Sequence, residues 1–398
     1  MKNNLFLGLF VFTIFLNSCT TDGTADIIIN DNSITNNNGG GGNSGSQSIF
    51  LSGTYNEDLT LDANNNYKVN GSLIMAAGTT LTIPAGMTVE ALAAGSDVYI
   101  AISQGAKIMA SGTADNPIVL TSDASTPQAG DWGGLILLGR APINSVSGTA
   151  TSTSEIASLP YGGTDAADNS GVIRYMRIEY SGGAADGQSE NNGFSFYGVG
   201  NGTTVEYIQA YEGKDDGVEF FGGTVNVNYI SIINAQDDSI DWTEGYSGTI
   251  TDAYVKHGDI HDKGVEADGF NTDIGNNSNP VFFSKPTINN LIIIGLGSTT
   301  GGEAVRLRAG TQGVFNNLII EGFEKGFKLV GDQGNSPTGT GVLSNDLHVT
   351  DITFTDITVK MTNNTGETFT ETDFIAGDGN GTGTDYATWG ANWTIGNN

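Results

Sequence analysis

The middle of the chain repeats one carboxylate-rich phrase. Lines beginning at Val205, Val227 and Ile250 follow one another at steps of 22 and 23 residues, and each leads into a version of it: Asp215-Asp216-Gly-Val-Glu219, Asp237-Asp238-Ser-Ile-Asp241, then Asp262-Lys263-Gly-Val-Glu266. If one step is one lap of a coil, residues a lap apart become neighbours and the phrase becomes three rows. One row reads Ser195, Glu219, Asp241, Glu266, Arg306, Lys328. The corner before it gives Asn192, Asp216, Asp238, Lys263, Glu303, Lys325, and one residue earlier come Asn191, Asp215, Asp237, Asp262, Gly302, Glu324. Eight carboxylates then crowd three laps. At a strand spacing of about 4.8 Å and an intermediate dielectric, each like-charge pair costs on the order of 3 kcal/mol. Raised carboxyl pKa values, the nearby Lys214, Lys263 and Arg306, or a bound cation would relieve it. Ca²⁺ takes oxygen ligands from flexible arrangements. It is the candidate cofactor, with Asp215, Glu219, Asp241, Asp262 and Glu266 as candidate ligands, although no EF-hand loop or Gly-Gly-x-Gly-x-Asp repeat is present. The competing reading is a solvated acidic face offset by the cationic rows.

Tyr175, Tyr207 and Tyr229 share another phase of the repeat. Stacked outward, they are candidate ligand-binding residues, because an aromatic ring offers a sugar an apolar face with a polar rim. They serve equally as a stabilising stack on the sheet surface. His257 and His261 can approach the acidic face, but with His348 far along the chain they make no zinc set. The glycine-rich turns lack the Lys-Ser/Thr of a phosphate loop.

Such rows need a scaffold that keeps register. Apolar residues recur at offsets 0, +3 and +5 in Ile173/Met176/Ile178, Val205/Ile208/Ala210, Val227/Ile230/Ile232, Ile250/Ala253/Val255, Ile288/Leu291/Ile293 and Phe315/Leu318/Ile320. This is not a sustained helical stripe. It describes short strands with a bend after the first apolar residue. A second alternating strand follows in Val218/Phe220, Ile240/Trp242, Val265/Ala267, Val305/Leu307 and Phe327/Leu329, with Gly or Asn at the corners. A recurrence of this length is the mark of a solenoid, in which each unit buries its apolar face against its neighbours. Parallel crossovers wind right-handed. The expected fold is all-β, a single right-handed parallel β-helix solenoid with loop insertions between coils.

Composition agrees. Gly accounts for 58 of 398 residues without a Gly-X-Y period, which suits turns and excludes collagen. A net charge of −29 repels nucleic acid and anionic membranes. The single Cys rules out an intrachain disulfide framework. A monomer is expected.

Residues 1–18 carry Lys2 and an apolar run from Leu5 to Leu16, the shape of a secretory signal and too short to span a membrane stably. The ending Leu16-Asn17-Ser18-Cys19 resembles the lipobox of bacterial lipoproteins, which implies lipidation of Cys19 and anchoring through the lipid alone. Thr20 after the cysteine is similar to the pattern of lipoproteins sorted to the outer membrane, surface-exposed ones among them. Residues 19–48 form an Asn/Gly/Ser tether with a reach of roughly 30 Å, and residues 49–398 form the β-helix. Polar insertions at 145–170, 184–192 and 271–286 emerge between coils, where such loops often shape a binding cleft. The aromatics Tyr386, Trp389 and Trp393 are expected to close the open last coil, since a bare solenoid end is an unpaired sheet edge.

Two further resemblances bear on function. The phrases Asn70–Gly86, Ala106–Ser122, Gly130–Asn144, Arg174–Gly182 and Asp215–Gly223 resemble a family of secreted or lipid-anchored β-helix proteins of Gram-negative bacteria, which implies a fold and a location and no established activity. Asp216-Gly-Val, Asp237-Asp238-Ser-Ile, Lys263-Gly-Val and Val305-Arg306-Leu-Arg308 are similar, in order, to the motifs of polygalacturonase-type β-helix glycosidases. That resemblance implies Asp216, Asp237 and Asp238 as acid and base of an inverting hydrolysis, and Arg306 and Arg308 as the grip on a substrate carboxylate. Lys214, Lys263 and Arg308 depart from the residues that those motifs carry. An inverting pair must stand about 6.5–9.5 Å apart to admit water. Three readings follow: a surface lipoprotein binding glycan or another extracellular ligand, a polysaccharide-degrading enzyme (glycoside hydrolase or lyase), and a structural or adhesion element.

Overall fold

The computed structural model describes residues 48–145, 151–184, 191–272, 280–331 and 337–396. The signal segment, Cys19 and the tether up to residue 47 lie outside the described residues, as do parts of each insertion. Among the described residues no helix is long and apolar enough to cross a membrane.

The chain is a right-handed parallel β-helix. Each strand pairs in parallel with the strand one lap on, in the register of the repeat: Val205 with Val227, Val227 with Ile250, Ile250 with Ile288, Ile288 with Phe315. Three sheets run the length of the stack. The first two come from single long strands such as Gly171–Glu179, Thr204–Tyr211 and Thr249–Lys256, each bent in the middle. The third is built from Phe194–Tyr197, Val218–Phe221, Ile240–Thr243, Val265–Asp268 and Glu303–Arg308. The small hairpin Ser152–Thr153 with Pro160–Tyr161 is antiparallel.

The bend has a definite cause. At the residue two past the first apolar position the backbone turns left-handed: φ is 45° at Tyr175, 56° at Tyr207, 62° at Tyr229, 60° at Asp252, 57° at Asn290 and 63° at Asn317. Asn and Asp tolerate this region and tyrosine does so poorly. The three tyrosines recover the cost by stacking, with centroids 4.2 Å apart in both pairs and rings nearly parallel. Further along, the row continues as an amide ladder, Asn290 donating to Asp252 at 3.1 Å and Asn317 to Asn290 at 2.8 Å.

The interior is apolar. Val205, Val227, Ile250, Ile288 and Phe315 form one inward stack, and Phe196, Phe220 and Trp242 another, all essentially without solvent contact. Rigid inward rows of this kind hold the outward rows in place.

The C-terminal aromatics do not close the last coil as expected. From Gly383 onward the chain runs back along the flank of the solenoid. Tyr386 stacks on Tyr254 at 3.9 Å, Trp389 lies against Tyr229, and Trp393 sits edge-on to Tyr175 and Tyr207. The strap is tied by Arg177 donating to the Trp393 carbonyl at 2.7 Å and by reciprocal bonds between Gln209 and Ile395, both 2.9 Å. The last coil instead receives Phe374, buried edge-on to Phe327 at 5.2 Å, and the strand Ile375–Asp378. Side chains that match the stacked tyrosines gain more contact along that row than over a ragged coil end.

Candidate functional site

The third sheet alternates inward and outward residues. Val218, Ile240, Val265 and Val305 point in, so Glu219, Asp241, Glu266 and Arg306 point out in register. Two residues on, Phe221, Thr243, Asp268 and Arg308 form a second outward row. Toward the N-terminal coils the rows become mostly apolar (Ala101 and Ile136 before Ser195, Leu138 and Tyr197), and Ile156 and Tyr161 from the hairpin cover them. The hairpin thereby makes one wall. It is fastened by Tyr161, whose hydroxyl donates to Glu244 Oε2 at 2.6 Å.

Beyond that wall the rows turn acidic and open into a cleft of about 480 Å³. Its floor carries Asp215, Asp216, Glu219, Asp237, Asp238, Asp241, Asp262, Glu266 and Asp268, with Glu155 of the hairpin at the rim. The acidic rows expected from the repeat are therefore contiguous, and all the candidate catalytic and metal residues line this one cleft. The candidate metal ligands do not converge on a single point, however. Carboxylate oxygens lie within 4.8 Å of one another in overlapping groups: Asp215 with Asp216 and Asp237, Asp216 with Glu219 and Asp241, Asp237 with Asp238 and Asp262, Asp238 with Asp241 and Glu266. Hard oxygen donors at this density suit Ca²⁺, and Asp216, Asp237, Asp238 and Asp241 each belong to two of the groups.

Burial dominates the electrostatics. Asp216, Glu219, Asp238 and Asp241 are pushed well above the usual carboxylate range, first by desolvation and then by each other's charge, with Asp215 acting on Asp216 and Glu266 on Asp241. Asp237 is raised too, again by burial first. Lys263 offsets part of this. Burial disfavours its charge, but Asp238 and Glu266 outweigh that and hold its pKa above the ordinary value. Its ammonium lies 2.9 Å from Glu266 Oε1 and 3.5 Å from Asp238 Oδ1, and is also paired with Asp262.

The candidate catalytic residues carry partners of their own. Asp216 Oδ1 accepts the backbone N–H of Asp238, and Asp238 Oδ1 accepts that of Lys263, so each has an oxygen committed to its corner. Oxygens of Asp216 and Asp237, and of Asp237 and Asp238, also approach within 4.8 Å. Arg306 and Arg308 are not free hooks either. Arg308 pairs with Glu266 at 2.6 Å and Asp268 at 2.5 Å, and Arg306 with Glu303 at 2.8 Å, an acid further held by Lys328 at 2.9 Å. Tyr175, Tyr207 and Tyr229 lie outside the cleft. Tyr207 has a tyrosine on each ring face, and Trp389 and Trp393 of the strap lie against the row.

Sequence reasoning missed Thr243, Asp268 and Glu155. The first two follow from period-two alternation, being two residues beyond Asp241 and Glu266. Glu155 belongs to an insertion, where no periodicity points anywhere. Thr243 matters because its Oγ1 is buried without a hydrogen-bond partner, and Asp241 Oδ1 is in the same condition. Buried polar oxygens are nearly always satisfied, and these two have almost no surface open to the cleft.

No curated protein matches the sequence. Among solved structures, the catalytic domain of a GH87 α-1,3-glucanase in complex with nigerose aligns at 12% identity with a TM-score of 0.32, covering 84% of this chain. The alignment spans 64% of that domain's own length. The profile of the pectate-lyase-like β-helix domain matches residues 53–394, essentially the whole solenoid with its strap, and the chain belongs to that family.

Proposed function

We propose that the carboxylate cleft is a glycan-binding site, displayed outside the cell by a lipid-anchored solenoid. One observation carries the reading: an open cleft of about 480 Å³ is lined by carboxyl groups together with the ring of Phe221. Sugars supply clustered donors, and their C–H faces pack on aromatic rings. Membership of a pectate-lyase-like family agrees with a saccharide ligand. A glycan array probed with the full-length protein tests this. Binding to at least one glycan class, lost in Asp241→Ala, is expected; silence across acidic, neutral and amino glycans would remove the proposal. Anchoring is tested separately by labelled palmitate, whose incorporation should vanish in Cys19→Ser.

A second reading, cleavage of the bound polysaccharide, is favoured by the raised carboxyls. A general acid must hold its proton near neutral pH. With Asp216 and Asp238 tied to backbone, Asp241 and Glu219 are better placed than they are for that role, and Asp237 remains available as a base. Release of reducing sugar that disappears in Asp241→Asn is the sign to look for. Carboxylates of the overlapping groups would hold Ca²⁺, and the ion would supply charge neutralisation to either reading.

A further inference from the structure

We infer that Glu244 is the positioning residue of the cleft, a buried latch whose carboxyl group holds the hairpin wall and the 271–286 insertion together. The inference concerns the walls alone and stands whatever the cleft takes.

The first support is the backbone. On three successive laps the residue after the outward row turns left-handed, with φ of 56° at Gly198, 66° at Gly222 and 54° at Glu244. Glycine enters this region freely, and a residue with a side chain enters it at a cost. The coil geometry therefore suits glycine at 244, as on the two laps before, and the chain carries glutamate instead. Its carboxyl group is also taken out of water, since Glu244 is 2% exposed. Strained residues persist where the surroundings over-determine them, and they gather at clamps and switch regions. Here the offset comes from what the side chain holds.

The second support is the pair of partners. Oε2 accepts the Tyr161 hydroxyl at 2.6 Å, and Oε1 accepts the Asn271 side-chain amide at 3.2 Å. Tyr161 ends the hairpin whose Glu155 lines the cleft, and Asn271 lines it together with Thr272. Thr243, the residue before the latch, lines it as well. One carboxyl group thus joins two insertions that are remote in sequence to the strand that carries the floor. Asn144 secures the base of the 271–286 insertion, donating to the carbonyls of Gly269 at 2.8 Å and Phe282 at 2.7 Å. Asn271 lies beyond that base, where Glu244 takes over.

Hydrogen–deuterium exchange of the full-length protein tests the latch, comparing peptides over 151–161 and 269–286 with those of the coils. Glu244→Gly removes the latch and the backbone strain together. Exchange should rise about tenfold in both insertions, the scale of one lost hydrogen bond, while the coils and the urea midpoint stay near those of the parent. Tyr161→Phe should loosen the hairpin alone, and Asn271→Ala the 271–286 insertion alone. Glu244→Gln, which keeps an acceptor for the Tyr161 hydroxyl, should leave the hairpin at parental exchange. Should Glu244→Gly fold poorly, Tyr161→Phe combined with Asn271→Ala leaves Glu244 in place and should reproduce the loosening of both insertions. A rise in one insertion only, or in neither, overturns the latch. A uniform rise through the coils with a falling urea midpoint makes Glu244 a residue of the general fold and overturns it too.

Discussion

Asp216 Oδ1 accepts the backbone N–H of Asp238 at 2.9 Å, one coil further on, and Asp238 repeats the bond to Lys263 at 2.7 Å. These corner carboxylates therefore work as rungs between coils, which explains why burial among like charges is tolerated: each satisfies an amide that would otherwise be stranded. Asp238→Ala should cost about 2–3 kcal/mol by orphaning that amide and taking one of three carboxylates from around the buried Lys263. Asp238→Asn keeps the acceptor and should cost about 1 kcal/mol or less. Urea denaturation of both variants checks this; equal losses would mean that the rung contributes nothing.

The raised carboxyls set a pH dependence with a definite sign. In Asp216, Glu219, Asp238 and Asp241 the folded pKa lies above the unfolded value, so the unfolded chain releases these protons first. Their contribution is most favourable below the ordinary carboxylate values of 3.8 and 4.5 and is lost as pH rises toward the raised folded values. Asp241→Asn removes one such group, so its melting temperature should fall less than that of the parent between about pH 4 and pH 7. Parallel melting curves for the two proteins would dispose of the idea.

Much of this was legible in the repeat. The pairings Glu219 with Asp241 and Asp241 with Glu266 are those that the recurrence dictates, because a solenoid turns sequence period directly into spatial neighbourhood. The bend was legible as a break in spacing, though not the left-handed backbone that makes it. What escaped has no period. The hairpin Ser152–Thr153 with Pro160–Tyr161 and the strap beyond Gly383 occur once each, and their docking depends on matching surfaces that coil arithmetic does not describe. The committed oxygens of Asp216 and Asp238 escaped as well, since a row of aspartates looks the same whether it faces a ligand or a backbone amide.

His257 gives a pH dependence of the opposite sign. It is buried against Phe323 and His261, with ring centroids 5.2 Å and 4.5 Å away. Burial, then the His261 charge, pushes it down to about 3, against the weaker upward pull of Asp262 and the Lys263 backbone. The stability gained by keeping it neutral is fully present above its ordinary 6.5 and is lost as pH falls toward 3. One proton contributes a slope of at most about 1.4 kcal/mol per pH unit. His257→Phe should flatten the acid limb of the stability profile by about that slope, as measured by urea midpoints between about pH 6 and pH 4. An unchanged limb would place the acid sensitivity elsewhere.

The strap makes the last prediction, and it separates a packing role for the tyrosine row from a binding one. Trp393 is 1% exposed, sits edge-on to Tyr175 and Tyr207, and is anchored through its carbonyl by Arg177. Trp393→Ala should destabilise the solenoid by about 3–5 kcal/mol, the usual cost of emptying a buried aromatic site. The loss should appear as a lower urea midpoint together with weaker near-ultraviolet dichroism from the stacked rings. If the row is a packing element, the variant gains no affinity for sugars as its tyrosines open. If Trp393→Ala instead binds glycans that the parent ignores, the strap is a cover over a second sugar platform, and Tyr175, Tyr207 and Tyr229 recover the ligand-binding role that their outward spacing implies.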